Sequence, residues 1–538
     1  MAKDRASTAG MTPWQRWTMI AVVLGSGIVF LDTSVVNLAL PTIAEELDSP
    51  LFSLAPLEAQ SYVANGYFLT LSALLILAGA LTDFYGRRRM FTLGLAGFLV
   101  TSVLCGLAPN METLILFRIL QGATGALVVP GSLAIITASF EGEQQGRAFG
   151  FWAGASAATT ILGPFVGGVL VNAISWRAAF FINVPFLLLA LYAMRHVPES
   201  RDEESTGRFD WLGSLVVALA VGGLAFGTIR GQQTNWQGVE AFVALGVGAV
   251  AAVAFPFLMV KREHPLVPPS LFKSRNFTVT NLSTFVIYGA LYVFLTFQAL
   301  FLVGTLGYDE PAAGIAGLPA TLFLVLFSTR FGKLAARYGP RLFMAAGPFV
   351  MGIGLLWLVR FPADSQPWVL GGGEILPPGD YFVDLLPSLL IFGSGLMIMV
   401  APLTTALMTS VPKRNSGVAS AINNAISRVG SPLVTALIFV AVVSTFYNAI
   451  SEKAPGVDTS SPAFRERVAP LNVRKLVQEE EDPVLIDAAR ASSTDSFHLA
   501  ALVSAGLLFA GAAINGFGIR NPQKKDGEDQ TAPAAGHA

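Results

Sequence analysis

The stretch Gly79-Ala-Leu-Thr-Asp83-Phe-Tyr-Gly86-Arg87-Arg88 decides the fold, because a second version of it returns as Gly332-Lys-Leu-Ala-Ala336-Arg-Tyr-Gly339-Pro-Arg341. The copies share glycine, leucine, tyrosine, glycine and arginine at equal offsets, and each follows a long apolar run. The second copy carries Ala336 where the first has Asp83. A signal repeated after corresponding apolar runs predicts a chain built from two related halves.

The apolar runs outside this repeat are also long enough to cross a membrane, which takes about 20 residues of helix for a core of roughly 30 Å. Of the 538 residues, 53% are hydrophobic and 13% charged, whereas a soluble domain carries about 25% charged residues. We therefore predict an all-α integral membrane protein of fourteen transmembrane helices, with twelve as the nearest alternative. The predicted spans are 17–40, 58–80, 90–108, 113–138, 148–172, 177–195, 210–229, 239–260, 277–303, 312–334, 342–359, 384–408, 417–448 and 497–518.

The distribution of loop charges orients these spans. With the N-terminus in the cytoplasm, most lysines and arginines fall in cytoplasmic loops, and the short outer loops hold only Arg177, Arg230 and Arg360. This asymmetry follows the positive-inside rule. It predicts a multi-pass protein of the cytoplasmic (inner) membrane with both termini in the cytoplasm.

The spans divide into two six-helix bundles and a two-helix insertion. We predict a first bundle in residues 1–200, two inserted transmembrane helices with their linkers in 201–264, and a second bundle in 265–520. The second bundle includes an outer segment, 449–496, with an amphipathic helix expected near 464–490. The polar tail 521–538 is expected to be disordered.

The composition excludes several other classes of function. Cys105 is the single cysteine, and the four histidines are scattered, so neither a thiolate cluster nor a histidine metal site is expected. No glycine-rich phosphate loop ending in Gly-Lys-Ser/Thr is present. The net charge of −1 gives no general attraction to nucleic acid. We expect no cofactor, no metal, no nucleic-acid partner and no enzymatic activity.

At several places the residues resemble the major facilitator superfamily, and within it the fourteen-helix drug:proton antiporter branch. Leu31-Asp32-Thr33-Ser34 through Pro41 is similar to the first-helix signature of that branch, and Gly79–Arg89 to the cytoplasmic loop motif of the superfamily. Further similarities are Arg118, Gln121 and Gly122 in the fourth helix, Gly163-Pro164-Phe-Val-Gly167-Gly168 in the fifth, Trp176-Arg177 through Asn183-Val-Pro185, and Phe209-Asp210-Trp211-Leu-Gly213. The resemblance implies alternating access driven by the proton gradient, without a cofactor.

Asp32 and Arg118 are the candidate proton-coupling pair. A carboxylate within a span is costly, so such groups face a cavity or a partner and often carry protons. A guanidinium always stays charged and needs anions or carbonyl oxygens around it. The resemblance implies that Arg118 tunes Asp32. The alternatives are a solvated Asp32 near the outer interface and a purely structural Arg118.

The loop motif and the fifth helix are candidates for conformational roles. Asp83, Gly86, Arg87 and Arg88 are expected to form a latch, in which a carboxylate bonds the N-terminus of a facing helix; the alternative is simple anchoring by the arginines. In the fifth helix the antiporter motif comprises Gly163, Pro164, Gly167 and Gly168. With Gly150 and Gly154 it predicts one small-residue face for close packing, and the resemblance adds that this packing favours exchange.

The cargo is expected to bind at mid-membrane between the halves. Because Asp32 is the one acid clearly inside a span, we expect amphipathic, cationic or neutral small molecules, carried by a monomer in the lipid bilayer. The alternatives are a dedicated exporter of an endogenous lipid or metabolite, and a proton symporter or facilitator. Candidate cargo-binding residues are Asn37, Tyr67, Gln121, Trp152, Tyr288, Tyr292 and Gln298.

Overall fold

The structure is a computed structural model that describes residues 11–51, 56–200, 208–234, 236–370, 376–479 and 482–521. We number its long apolar helices, together with one shorter apolar helix, α1 to α14. They are α1 (Pro13–Glu46), α2 (Pro56–Tyr85), α3 (Arg87–Gly106), α4 (Met111–Ser139), α5 (Gly142–Ala173), α6 (Ala178–Met194), α7 (Trp211–Gln233), α8 (Val239–Lys261), α9 (Arg275–Phe301), α10 (Leu318–Tyr338), α11 (Arg341–Trp357), α12 (Leu386–Thr409), α13 (Ser416–Lys453) and α14 (Pro483–Gly518).

The predicted all-α fold with fourteen spans is confirmed. Thirteen of these helices are long and apolar enough to cross a membrane, and Ala178–Met194 is a shorter apolar helix at the position of the sixth predicted span. The helical conformation satisfies every interior backbone N–H and C=O within the segment, which a membrane interior demands. The chain is therefore a multi-pass membrane protein.

Helices α1–α6 pack around one apolar core and α9–α14 around a second. The inserted helices α7 and α8 pair with each other, and α7 also packs on α2 and α13. The insertion thus lies along one of the two seams between the halves.

The halves meet along two related seams, α2 with α13 and α5 with α10. Both seams are tightest on the side where α1 begins and α14 ends, here called the terminal side. A methyl group on Gly79 would overlap the Gly417 carbonyl, and one on Gly332 would overlap the Gly146 carbonyl. Because only glycine permits such an approach of two backbones, these four residues hold the terminal side closed in this conformation.

The segment between α13 and α14 differs from its predicted form. The expected single helix near 464–490 is wrong: two short helices, Pro462–Arg467 and Arg474–Glu479, precede α14, which already begins at Pro483. The Asp482 side chain accepts from the Val484 N–H, and proline suits the first helical position. A small apolar core around Phe446, Val468 and Leu476 holds the segment together. Of the predicted tail 521–538, all but Asn521 lies outside the described residues.

Candidate functional site

Asp32 lies at the centre of a buried polar cluster within the first half. Its Oδ2 atom accepts from the Arg118 guanidinium at 2.7 Å. Its Oδ1 atom accepts from the Gln121 amide at 3.1 Å and from the Asn183 amide at 2.8 Å. Helices α1, α4 and α6 thereby converge on one carboxylate, and we call these four residues the Asp32 network.

The network is sealed from solvent in this conformation. Asp32, Gln121 and Asn183 are 0% exposed, and Arg118 is 1% exposed. Removing an ion pair from water costs several kcal/mol per charge unless the remaining donors and acceptors are satisfied. Here Gln121 both donates to Asp32 and accepts from Arg118 at 2.7 Å. The geometry therefore supports an ionised pair inside the membrane.

An aromatic wall completes the surroundings of Arg118. The guanidinium lies 4.2 Å from the centre of the Tyr67 ring and 5.8 Å from that of Phe180. A cation above an aromatic face is attracted by the ring, by up to about 2 kcal/mol where water is excluded. Tyr67 and Gln121, both predicted to contact cargo, lie in or against this network instead, and both are 0% exposed.

Asn183 is the member of the network to which sequence analysis assigned no role. It sits in α6, and its amide also donates to the Ser102 hydroxyl of α3 at 2.9 Å. One feature of the sequence could have identified it. Asn183 is a polar residue within an apolar span, and it belongs to the stretch Trp176-Arg177 through Asn183-Val-Pro185, which resembles the antiporter branch. Its distance from Asp32 in the chain concealed the contact.

Of the candidate latch residues, Asp83 and Arg87 lie at the α2–α13 seam, whereas Gly86 and the Arg88 N–H face Glu199 of the first half. The Asp83 carboxylate accepts from the Gly417 N–H at 3.0 Å and from the Val418 N–H at 2.9 Å. Arg87 lies 3.6 Å from Asp83 and donates to the Lys413 carbonyl. A carboxylate at the first turn of a helix meets unpaired donors and the positive end of the helix dipole. This contact joins the two halves directly.

The α5–α10 seam lacks the corresponding carboxylate for a structural reason. Ala336 faces Gly146, where a methyl group would lie 2.8 Å from the Ala336 Cβ atom. Because α5 begins at Gly142, the Gly146 N–H lies beyond the first turn and has an acceptor within the helix. An exposed ion pair between Lys333 and Glu143, 3.0 Å apart, links this seam instead. The two seams are therefore chemically different.

On the terminal side, Lys413 forms a second exposed ion pair, with Glu141. Hydrogen bonding and the charge of Lys413 lower the pKa of the Glu141 carboxyl below its ordinary value. Exposed pairs of this kind contribute about 0–1 kcal/mol. The buried Asp83 contact is consequently the stronger tie.

Two glycines with positive φ form the turns of the repeated motif. Gly86 has φ +106°, and its α-carbon faces the Glu199 carboxylate, which accepts from the Arg88 and Arg89 N–H groups at 3.0 Å. Gly339 has φ +90° and faces Asn521, which accepts from the Arg341 N–H at 3.1 Å. In each half, a residue that follows the sixth helix of that half caps the N-terminus of the third helix. Glu199 caps α3, and Asn521 caps α11. The sequence repeat thus has a structural counterpart.

We expect Gly86→Ala to destabilise the protein by about 1–3 kcal/mol, the cost of forcing a side chain into this backbone region. A methyl group would also lie 2.8 Å from Glu199 Oε1. Gly142→Ala is the matched control, because Gly142 has φ +54° but nothing within 4 Å of the added carbon. Thermal unfolding in detergent measures both variants. A smaller loss for Gly86→Ala than for Gly142→Ala would contradict the proposed clash.

The small residues of α5 form two faces, so the predicted single face is wrong. Gly150 and Gly154 pack against Ser328 and its neighbours in α10, across the seam. Gly163 and Gly167 pack against Ser34 and Val35 of α1. Successive helical residues turn by about 100°, so Gly154 and Gly163 point in nearly opposite directions.

The second α5 face packs the antiporter motif against α1, the helix that carries Asp32. A methyl group on Gly167 would lie 3.2 Å from the Val35 α-carbon, and one on Gly168 would lie 3.6 Å from Leu38. For Pro164, the structure describes only its position within helix α5. The motif therefore sets the distance between α5 and the part of α1 that carries Asp32.

The other candidate cargo residues do not form one cluster of exposed groups. Trp152 and Gln298 are 8% and 6% exposed. Asn37 is exposed, Tyr292 is exposed, and Tyr288 is half-buried with its ring centre 6.4 Å from that of Tyr292. In this conformation Asn37, Tyr288 and Tyr292 are the candidates that a ligand could reach. Within the described ranges, no group of three or more His, Cys, Asp or Glu side chains could hold a metal ion.

Two halves that are related by a repeat and close against each other on one side, with a buried ion pair inside the first half, define a membrane transporter. Residues 22–435 match the model of the Major Facilitator Superfamily. The chain is 32% identical over 424 residues to the multidrug resistance protein Stp of Mycobacterium tuberculosis strain H37Rv, covering 79% of this chain and 75% of that protein. The chain belongs to the Major Facilitator Superfamily.

Other relatives and solved structures agree with this assignment. The tetracenomycin C resistance and export protein of Streptomyces glaucescens is 30% identical, covering 84% of this chain and 80% of that protein. The puromycin resistance protein pur8 of Streptomyces alboniger is 30% identical, covering 81% and 83%. Among solved structures, the human organic anion transporter MFSD10 has a TM-score of 0.58 at 13% identity, covering 94% of this chain and 100% of that one. This last likeness concerns the fold alone.

Proposed function

We propose that this protein exports amphipathic small molecules in exchange for protons, by alternating access across a bacterial cytoplasmic membrane. The observation that carries the proposal is the Asp32 network, a carboxylate held inside the first half by Arg118, Gln121 and Asn183. Relatives at 30–32% identity are named as multidrug or antibiotic resistance proteins. Efflux of structurally unrelated drugs is accordingly the activity to test first.

The coupling step that we propose is a change in the charge of Asp32. When Asp32 is ionised, it neutralises Arg118, and the first half is closely packed around the pair. When it takes up a proton, Arg118 loses its counter-charge in a site of low polarity, which is costly. Protonation therefore favours a rearranged network and a different relation between the halves.

The membrane supplies the energy for this cycle. Each proton entering the cell releases about 2.3 kcal/mol per 100 mV of membrane potential, in addition to the pH difference. We propose that both termini lie in the cytoplasm, so that the terminal side faces the cell interior and is closed in this conformation. The loop charges support this orientation. We further propose a monomer that needs no cofactor.

We propose that Asp83 stabilises the closed terminal side. Asp83→Asn removes the charge from two hydrogen bonds to α13, and bonds to charged groups contribute about 1.5–3 kcal/mol. We expect the inward-open state to become at least about tenfold more populated. A Ser427→Cys reporter in a Cys105→Ser background, labelled with an impermeant maleimide in inside-out vesicles, measures this population.

Glu143→Gln is the control for this measurement. It also removes a carboxylate from a seam on the terminal side, but its pair with Lys333 is exposed on both partners. It is expected to change labelling less than about threefold, in keeping with exposed ion pairs. Equal labelling of wild type and Asp83→Asn would exclude the latch.

A second candidate function is the dedicated export of one endogenous lipid or metabolite. The folded segment between α13 and α14 favours it, because Val468 of the segment forms an apolar core with Tyr447 near the end of α13 and Leu485 near the start of α14. It contacts the outer end of the second half, where the Leu471 carbonyl lies against Gly304. Transport of many unrelated drugs by the purified protein would count against a dedicated exporter.

A further inference from the structure

We propose that Arg428 is a binding site for an anionic group of the cargo, so that this transporter accepts amphipathic acids such as carboxylates, sulfonates or phosphates. The inference rests on the proposed export function and specifies the class of cargo. It begins from the observation that Asp32 cannot attract a cationic cargo in this conformation. Asp32 is 0% exposed and both of its oxygen atoms are bonded within the first half.

Arg428 lies deep in the membrane. It is about 17 Å along α13 from Gly417, at 1.5 Å per residue, and Gly417 marks the closed terminal side. The hydrocarbon core is roughly 30 Å thick, so Arg428 sits near its middle. An arginine at this depth is costly and faces the protein interior or a water-filled cavity.

The environment of Arg428 is polar and lies between the halves. Asn424, Ser427, Arg428, Ser431 and Thr435 recur at helical spacing and form one polar face of α13, and all five are half-buried. The neighbouring Ser420, one turn nearer the terminal side, is fully buried and its hydroxyl reaches the Pro130 carbonyl of α4 at 3.5 Å. The polar face thus points toward the first half and becomes partly accessible beyond the closed seam.

The other side chains on this face are occupied by their own helix. Asn424 donates to the Ser420 carbonyl, Ser427 to the Asn424 carbonyl and Thr435 to the Ser431 carbonyl. Arg428 differs from them: within the described ranges it has neither a hydrogen bond nor an ion pair. It lies about two turns along α13 from Ser420, whose hydroxyl reaches the Pro130 carbonyl of the first half, and this places it beside the boundary between the halves.

Arg118 and Arg428 differ in whether a neighbouring group compensates their charge. Arg118 is compensated by Asp32 and Gln121, whereas Arg428 has no such partner among the described residues, so its guanidinium donors are available to a ligand. A guanidinium matches the planar or tetrahedral oxygens of carboxylate, sulfonate and phosphate groups, often through two hydrogen bonds. An amphipathic acid would place its anionic group at Arg428 and its apolar body against the surrounding span.

A pair of fluorescent probes tests this directly. 1-Anilinonaphthalene-8-sulfonate carries a sulfonate, and N-phenyl-1-naphthylamine has the same aromatic framework without it. We expect saturable binding of the sulfonate to purified wild-type protein to be at least about tenfold tighter than binding of the neutral probe, as a bond to a charged group provides. Equal affinity of the wild type for the two probes would overturn the proposal.

Variants assign the effect to Arg428. We expect Arg428→Gln to weaken sulfonate binding about tenfold or more and to leave the neutral probe unchanged, while Arg428→Lys retains most of the preference. Arg330→Gln is the control, because Arg330 is an exposed arginine of α10 that lies against the Phe327 ring. Unchanged sulfonate binding in Arg428→Gln, or an equal loss in Arg330→Gln, would refute the assignment. If Arg428→Gln does not fold, the comparison of probes on the wild type still decides the matter.

Competition separates the two sources of such a group. Displacement of the sulfonate probe by decanoate identifies a free acid as cargo, and displacement by short-chain phosphatidylglycerol alone identifies a lipid headgroup. Displacement by neither would contradict an anion site. Because these are equilibrium measurements in detergent, they do not depend on proton coupling, and a failure of the proposed export cycle would not affect them.

Discussion

Asp32→Asn is expected to abolish cargo-driven proton movement in proteoliposomes. The amide keeps the size of the side chain but cannot release a proton, and it leaves Arg118 without a counter-charge in a site that is 0% exposed at Asp32. With a pH-sensitive dye and a panel of antibiotics that includes both amphipathic acids and lipophilic cations, proton flux should fall to that of protein-free liposomes. Binding of the same compounds in detergent should persist, because Asp32 does not face the space between the halves.

Glu46→Gln provides the matched control for this experiment. It removes a carboxylate from the same helix, where Glu46 accepts from the Trp176 indole at 2.9 Å, away from the Asp32 network. We expect its coupled flux to stay within about twofold of wild type, since it leaves the buried pair intact. Cargo movement without proton flux in the wild type, or an unaffected Asp32→Asn, would leave a facilitator or a different proton site.

Gly332→Val is expected to hold the terminal side open and stop transport. Any side chain at this position would overlap the Gly146 carbonyl across the α5–α10 seam. Because that carbonyl belongs to the backbone of a helix, it cannot move aside as the end of a flexible side chain could. Overpacking of this kind costs about 1–3 kcal/mol or more, which corresponds to roughly a tenfold or larger shift between the two states. The Ser427→Cys reporter should label strongly from the cytoplasmic side.

Gly246→Val tests whether the effect comes from the seam. Gly246 lies in α8 with nothing within 4 Å of an added carbon, so valine there should leave labelling and transport unchanged. The same reporter compares both variants in one background without other cysteines, since Cys105 is the single cysteine. Wild-type labelling and transport by Gly332→Val would show that closure does not require this contact.

The sequence by itself determined the membrane-spanning character, the number of spans and the repeat. Hydrocarbon demands runs of about 20 apolar residues with internally satisfied backbones, so length and composition are sufficient for each helix. The sequence also identified Asp32 and Arg118 as candidates. An ionisable residue inside a span is costly and therefore rare, so its presence indicates a functional site. Those signals are local, and a single chain displays them directly.

Only the tertiary structure decided which groups meet. Asn183 completes the Asp32 network from α6, and Glu199 caps the turn at Gly86, although both are far from their partners in the chain. The α5 glycines divide between α1 and α10 because helical rotation, which spacing alone did not resolve, directs them to different neighbours. The candidate role of Arg428 also follows from the tertiary structure alone. Helix packing places this residue between the halves, and no acid among the described residues pairs with its charge.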